Sequence, residues 1–408
     1  MCGSRATIGA LMSDKCILVG QSGGPTTAIN SSLAGVIAAG VFDGTRIEGM
    51  RYGIQGFLEG RSVRLDEAFV SRVDIELLRN TPASWLGSCR YKLPLPSEDE
   101  ATYERLFQRF EEIGAEGVLY IGGNDSMDTI AKLSEYGRQI GSDIRFIGVP
   151  KTIDNDLVDT DHTPGYGSAA RFVATAVNEI AYDANVYDLK SVTFVEIMGR
   201  DAGWLAASSA LALAAPDLVL LPEVPLDLDV LMERIASILD EKNTVMVGVS
   251  EGVRTPDGQL ICERAAEPGV GVDEFGHLAT LSGTGRYLAA LTKERLGCKT
   301  RSVELSTLQR CASYAASRVD LDEAFDLGHA GFNAALAGET GKMCAVERVS
   351  NDPYSINIQL VDVVSVANRV KNVPREWIAE DGMGVTKELL DYMKPLVGEL
   401  PAQMASLD

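Results

Sequence analysis

Ile144-Arg145-Phe146-Ile147-Gly148-Val149-Pro150-Lys151-Thr152-Ile153-Asp154-Asn155-Asp156 changes character at a single residue. As far as Val149 it is an apolar run that reads as a buried strand, and Pro150 stops it because proline has no N–H to give a ladder. From Pro150 on, seven residues hold two carboxylates, an amide, a hydroxyl and a lysine. These polar groups then sit at the carboxyl end of a strand, the edge where open α/β sheets bind ligands. A carboxylate there can take a proton from a substrate hydroxyl, and a lysine can offset phosphate charge. The stretch points to phosphoryl transfer on an α/β frame.

Strand and helix signals alternate on both sides of it. Upstream, strands are expected over 16–19, 45–50 and 117–121. Helices are expected over 25–39, with Pro25 in the first turn, over 126–136, and from the capping-box pattern Ser97-x-x-Glu100 to about Gly114. Downstream, helices over 166–184, 201–215 and 230–240 alternate with strands over 192–197, 218–221 and 245–249. Strands separated by helices imply a parallel sheet covered on both faces. The expected fold class is α/β, in two lobes, each a mainly parallel sheet with helices on both faces. The lobes are placed at 13–150 and 151–300. Residues 301–408, a mixture of helix signals and polar loops, are expected to pack back on both.

The chain has 408 residues, 46% hydrophobic and 23% charged, an ordinary balance for a globular protein with a sizeable core. Its formal net charge of −21 repels nucleic acid and anionic membrane, so neither is an expected partner. An anionic substrate would need arginines and lysines gathered at the site to reverse that field. Seven scattered cysteines without a Cys-x-x-Cys spacing fit reduced thiols and a cytoplasmic location. The three histidines, His162, His277 and His329, are far apart, which argues against a histidine-rich metal site. No apolar run is long enough to span a bilayer. Met12-Ser13-Asp14 looks like a second start, so residues 1–11 are expected to be a disordered leader.

Further strand ends carry polar turns. Gly20-Gln21-Ser22-Gly23-Gly24-Pro25 can bring backbone N–H groups close to an anion, although a plain βα turn has the same look. Ile121-Gly122-Gly123-Asn124-Asp125-Ser126 has the same placement. Its three polar residues could be helix caps, or Asp125 could exclude a larger phosphate ligand while a metal bridges it to a smaller one. Asn124 is a weak candidate metal contact, because a neutral amide is a poor Mg²⁺ ligand. Met198-Gly199-Arg200 offers an arginine for a phosphate or sugar hydroxyl, unless Arg200 merely pairs with Glu196 or Asp201. Ser250-Glu251-Gly252 offers a carboxylate for a sugar hydroxyl, or only a solvated loop residue. Arg90, Arg301 and Arg310 make an anion clamp only if they act together.

These segments, in this order from about Cys16 to His329, resemble the phosphofructokinase family, and more closely its pyrophosphate-dependent branch. The resemblance implies an active site in the cleft between a donor-phosphate lobe and a sugar-phosphate lobe. It makes Asp154 the general base for the C1 hydroxyl of fructose 6-phosphate, with Thr152 and Ile153 beside the reacting group and Asp156 close to the base. Met198, Gly199, Arg200 and Glu251 would hold the sugar phosphate, and Arg310 its 6-phosphate. Arg90 would bridge toward the transferred phosphate, and Gly23 would contact the donor. The donor itself follows from Asp125 and Lys151, both of which replace glycines of ATP-using relatives. Asp125 would fill the space of a nucleotide α-phosphate, and Lys151 would stabilise the pyrophosphate leaving group. Mg²⁺ is the implied cofactor, with fructose 6-phosphate and pyrophosphate as substrates.

Some positions depart from the family pattern. Asn124 replaces an aspartate of bacterial ATP enzymes, Thr307 replaces a histidine, and Ser191 replaces an arginine that crosses between subunits, with Lys190 adjacent. Arg301 matches the other crossing arginine, which implies a homodimer or homotetramer. Three rival readings remain at this point. They are an ATP-dependent phosphofructokinase, a non-catalytic sugar-phosphate-binding subunit, and an enzyme for another ketose phosphate such as sedoheptulose 7-phosphate.

Overall fold

The computed structural model describes residues 16–265, 282–401 and 405. The expected leader and second start, Cys2 and His277 lie outside these residues. The first sheet has seven strands in the order β11-β10-β5-β4-β1-β2-β3. They are β1 (Cys16–Gln21), β2 (Arg46–Met50), β3 (Ser62–Arg64), β4 (Ala115–Gly122), β5 (Arg145–Pro150), β10 (Lys342–Asn351) and β11 (Tyr354–Asp362). Only the two edge pairs, β2–β3 and β10–β11, are antiparallel. The second sheet, β7-β8-β6-β9, is wholly parallel. It comprises β6 (Ser191–Ile197), β7 (Leu218–Leu220), β8 (Thr244–Ser250) and β9 (Lys299–Glu304).

Burial on both faces explains why the central strands read as continuous apolar runs. In β1, Ile17 and Val19 enter one core while Leu18 enters another across the sheet. Phe146 and Ile147 of β5 divide in the same way. In the second sheet Val192 and Phe194 face one core, and Val195 and Ile197 the other. The alternation is that of a pleated strand with no solvent side.

Several expected elements differ. The first helix begins at Ile29 rather than Pro25. Residues 22–28 stay open as a loop, and Thr26 Oγ1 accepts the Ile29 N–H at 3.0 Å. Asp99, not Ser97, caps the Glu100–Glu112 helix, accepting from the Thr102 N–H. The helix expected over 201–215 is reduced to a turn at Trp204–Ala207 and a 3₁₀ turn at Ser208–Leu211. Ser208 and Ser209 donate back to the carbonyls of Leu205 and Ala206, which competes with helix propagation. The largest omission is the hairpin of β10 and β11, which extends the first sheet from the C-terminal segment. The 300 boundary also falls inside β9. The Arg318–Leu336 helix packs on the Ile29–Asp43 helix of the first lobe, while the Lys387–Val397 helix packs on the Tyr166–Ala184 helix of the second. Among the described residues no helix is long and apolar enough to cross a membrane.

Candidate active site

In both sheets the strand order reverses around a central strand. β1 lies between β2 and β4, and β6 between β8 and β9. At such reversals the loops leaving the strand ends part and open a crevice. A cavity of about 410 Å³ lies there, lined from both lobes. Gly23 and Gly24 follow β1, Asn124 and Asp125 follow β4, and Lys151, Thr152, Ile153, Asp154 and Asp156 follow β5. Met198 and Arg200 follow β6, Glu251 follows β8, and Arg310 lies beyond β9. Arg90 completes the rim beside Cys89 and Tyr91.

The glycine turn must be glycine. Gly23 has φ +76°, in the left-handed region, and a Cβ there would stand 3.5 Å from Lys151 Nζ. Lys151 lies across this turn and donates to the Gly24 carbonyl at 2.7 Å. Arg310 approaches from the other side, its Nη1 3.5 Å from where a Gly24 Cβ would be. Its buried Nε has no hydrogen-bond partner, a donor left for an anion. The turn therefore sits between two cations in a chain whose overall charge is strongly negative, which is the local reversal an anionic ligand needs.

The carboxylates are tuned by burial. Burial lowers Lys151 to about 8, although Asp154 and Asp156 favour its charge. Burial raises Asp154 despite the opposing pull of Lys151, making it a stronger base than an exposed aspartate. Asp156 rises to about 7 through burial and then through the charge of Asp154. Glu251 rises to about 8 for the same two reasons, so near neutrality it is an acid able to donate to a sugar oxygen. It also accepts the Gly199 N–H at 3.3 Å. Gly199 has φ +129° and supports the turn from behind rather than lining the cavity.

Asn155 separates the two aspartates and was not singled out by sequence. It is fully buried with φ +54°, a conformation asparagine tolerates better than most residues. Its Nδ2 donates to Tyr392 Oη at 2.9 Å and its Oδ1 accepts the Thr163 N–H at 3.1 Å. The inverted residue turns its neighbours Asp154 and Asp156 to the cavity. Thr152 Oγ1 accepts the Asp154 N–H at 3.1 Å. Gln309, inside the Leu-Gln-Arg motif, was likewise given no role, yet its Oε1 accepts the Met198 N–H at 3.0 Å and fixes that turn.

The remaining candidate residues have partners or positions of their own. Asn124 is not placed as a metal contact: its Oδ1 accepts the Asn368 N–H at 2.8 Å and its Nδ2 donates to the Arg369 carbonyl at 2.6 Å. Neither Asn124, Asp125 nor Ser126 caps its helix, since the N-cap is Gly123. Arg301, which the resemblance assigns to a neighbouring copy's site, does not line the cavity of its own chain, and its guanidinium bonds Asp183. Lys190, next to Ser191, pairs with Asp240 at 3.2 Å, and Thr307 is exposed outside the cavity. Arg200 is paired with neither Glu196 nor Asp201 among the described residues. Glu196 accepts from the Gly283 and Gly285 N–H groups, and Asp201 lies 3.9 Å from Arg254. Among the described residues no group of three or more His, Cys, Asp or Glu side chains could hold a metal ion.

Residues 16–334 match the sequence family described as Phosphofructokinase. The chain is 38% identical over 402 residues to the pyrophosphate–fructose 6-phosphate 1-phosphotransferase of Xanthomonas campestris pv. campestris, covering 97% of this chain and 94% of that one. It is 38% identical over 384 residues to the protein of the same name from Halomonas elongata, covering 92% and 90%. The structure superposes on the crystal structure of pyrophosphate-dependent phosphofructokinase from Nitrosospira multiformis with a TM-score of 0.84, at 33% identity and 97% and 95% coverage. A match of this length carries the strand-end loops as well as the sheets that bear them, and the chain belongs to the phosphofructokinase family.

Proposed function

We propose that the protein moves a phosphoryl group from pyrophosphate to the C1 hydroxyl of fructose 6-phosphate, giving fructose 1,6-bisphosphate and phosphate. The observation that carries this reading is one cavity faced by a half-buried aspartate, a buried lysine, an orphaned arginine donor and a glycine turn. In the reaction the C1 oxygen forms a bond to the terminal phosphorus as the bridging P–O bond breaks. Asp154 takes the hydroxyl proton, and Lys151 balances the charge left on the departing phosphate. Little covalent work falls to the protein, so positioning and charge neutralisation dominate. The two phosphoryl compounds are similar in transfer potential, and the same groups serve the reverse direction, with Asp154 returning the proton.

Mg²⁺ fits as part of the substrate. Asp125 makes no ion pair among the described residues and stands exposed at the cavity, and one or two carboxylates with phosphate oxygens are the usual Mg²⁺ environment. Bound with pyrophosphate, the ion would neutralise phosphate charge. A homodimer or homotetramer would let Arg301 enter a neighbouring copy's site. The six described cysteines are free, which suits a cytoplasmic location.

The direct test is formation of fructose 1,6-bisphosphate from fructose 6-phosphate and Mg²⁺, with pyrophosphate and ATP offered separately. Turnover with pyrophosphate alone is expected. Turnover with ATP alone would keep the acceptor chemistry and overturn the donor.

Two further outcomes follow from the site. Arg310→Ala should raise KM for fructose 6-phosphate by about 10- to 100-fold, with kcat within about three-fold, because a charge-assisted phosphate contact made equally in ground and transition states is lost. A large kcat loss at unchanged KM would displace Arg310 from the 6-phosphate. The second outcome concerns pH. Lys151 is charged below about 8 and neutral above it, so kcat/KM for pyrophosphate should fall through a basic limb near that value. In Lys151→Arg the limb should move up out of range. If it stays, Glu251 or another group is responsible.

A further inference from the structure

The C-terminal segment after β11 includes a short run without regular secondary structure, residues 368–373, that bonds to both lobes. At one end the Asn368 N–H donates to Asn124 Oδ1 at 2.8 Å, and Asn368 Nδ2 donates to Asp128 Oδ1 at 2.9 Å. These bonds hold the turn that presents Asp125. In the middle, the Lys371 N–H donates to the Asp156 carbonyl at 2.7 Å. The Lys371 carbonyl accepts from Trp204 Nε1 at 2.7 Å, across in the other lobe. At the far end Glu223 Oε1 accepts both the Val373 N–H at 2.9 Å and the Gly203 N–H at 2.8 Å. That carboxylate ties the run to the turn that carries Arg200.

The side chain of Lys371 is used structurally. Its ammonium donates to the carbonyls of Thr160 and Asp161 at 3.1 and 2.7 Å and lies 5.2 Å from the Trp204 ring centroid. It thus holds the chain just beyond the base loop. Neither Lys371, Asn368 nor Glu223 lines the cavity.

We propose that residues 368–373 form a strap setting the separation of the donor turn, the base loop and the sugar-phosphate turn, with Asn368, Lys371 and Glu223 as positioning residues. The inference rests on the phosphoryl-transfer reading, because an in-line displacement requires donor, base and acceptor to be in register. A misplacement of about 1 Å can cost about 10²-fold in rate without loss of any reacting group.

The test compares Lys371→Met, Lys371→Arg and the exposed Asn368→Ala with the unaltered enzyme. Steady-state kinetics, thermal midpoint and calorimetric binding of fructose 6-phosphate alone are measured for each. Lys371→Met should lower kcat about 10- to 100-fold while fructose 6-phosphate binds within about three-fold of normal. Lys371→Arg should recover part of the loss, and Asn368→Ala, at an exposed position whose φ of +61° alanine adopts at a small cost in stability, should lower kcat several-fold per folded molecule. Variants that lose thermal stability but keep full kcat per folded molecule would overturn the strap. An unaltered enzyme inactive with pyrophosphate would instead overturn the reaction on which the inference rests.

Discussion

Asp154→Asn should lower kcat by about 10³-fold, within the range for loss of a general base, and leave KM for both substrates within a few-fold. The substitution keeps the shape of the side chain and removes its ability to take a proton. The surrounding backbone should not move. Asp154 is held by its N–H to Thr152 Oγ1, and the next residue is fixed by Asn155 bonds to Tyr392 and Thr163. Neutralising Asp154 also removes a negative charge that favours the ammonium of Lys151, so the basic limb in kcat/KM for pyrophosphate should move to lower pH in this variant, and kcat is compared on its acid side. Asp156 faces the same cavity and burial raises it to about 7, which makes it the rival base. The paired Asp156→Asn variant separates the two. A smaller kcat loss there than in Asp154→Asn supports the assignment, and the reverse order transfers the role. A loss below ten-fold in Asp154→Asn would remove the residue from proton transfer altogether.

The parts of the fold legible in the sequence are those whose burial is uniform. β5 and β6 are covered on both faces, so Phe146, Ile147 and Val149 in the first and Val192, Phe194, Val195 and Ile197 in the second make runs that stand out. β10 and β11 leave one face exposed along much of their length, and residues such as Glu347 and Arg348 make the hairpin look like polar loop. The 201–215 segment misleads in the opposite sense. Its alanines favour a helix, but Ser208 and Ser209 divert backbone carbonyls and the run breaks into two short turns. The site is legible for the same kind of reason. A strand end followed by charge and glycine has few purposes other than holding a ligand, and Gly23, Lys151, Asp154, Arg200 and Glu251 meet at one cavity. What stayed hidden depends on partners distant in sequence. Asn155 meets Tyr392 237 residues later, and Asn124 meets Asn368 244 residues later. No local pattern announces either pairing, and the second engages the amide oxygen of Asn124.

The double variant Asp125→Gly, Lys151→Gly should lower kcat/KM for pyrophosphate by at least about 10²- to 10³-fold, the loss associated with one preorganised charge-stabilising donor. Lys151 is the larger contributor. It is buried beside the glycine turn, in a setting where a point charge acts far more strongly than in water, and its ammonium donates to the Gly24 carbonyl. Its removal leaves the glycine turn with Arg310 alone of its two cations and also empties the space beside Gly23. Asp125 acts differently. It is exposed at the cavity rim at the start of the Asn124–Ile140 helix, where a carboxylate stands in the way of further phosphate charge. With glycine in its place the helix N-terminus presents bare N–H groups, which favour an anion. The double variant should therefore gain ATP-dependent formation of fructose 1,6-bisphosphate that the unaltered enzyme lacks. Each single variant should show half the pattern, Lys151→Gly losing pyrophosphate turnover without gaining ATP, and Asp125→Gly losing less. Full pyrophosphate activity in the double variant would mean that the donor is selected elsewhere along the cavity, with Arg90 and Tyr91 on the rim the next residues to examine.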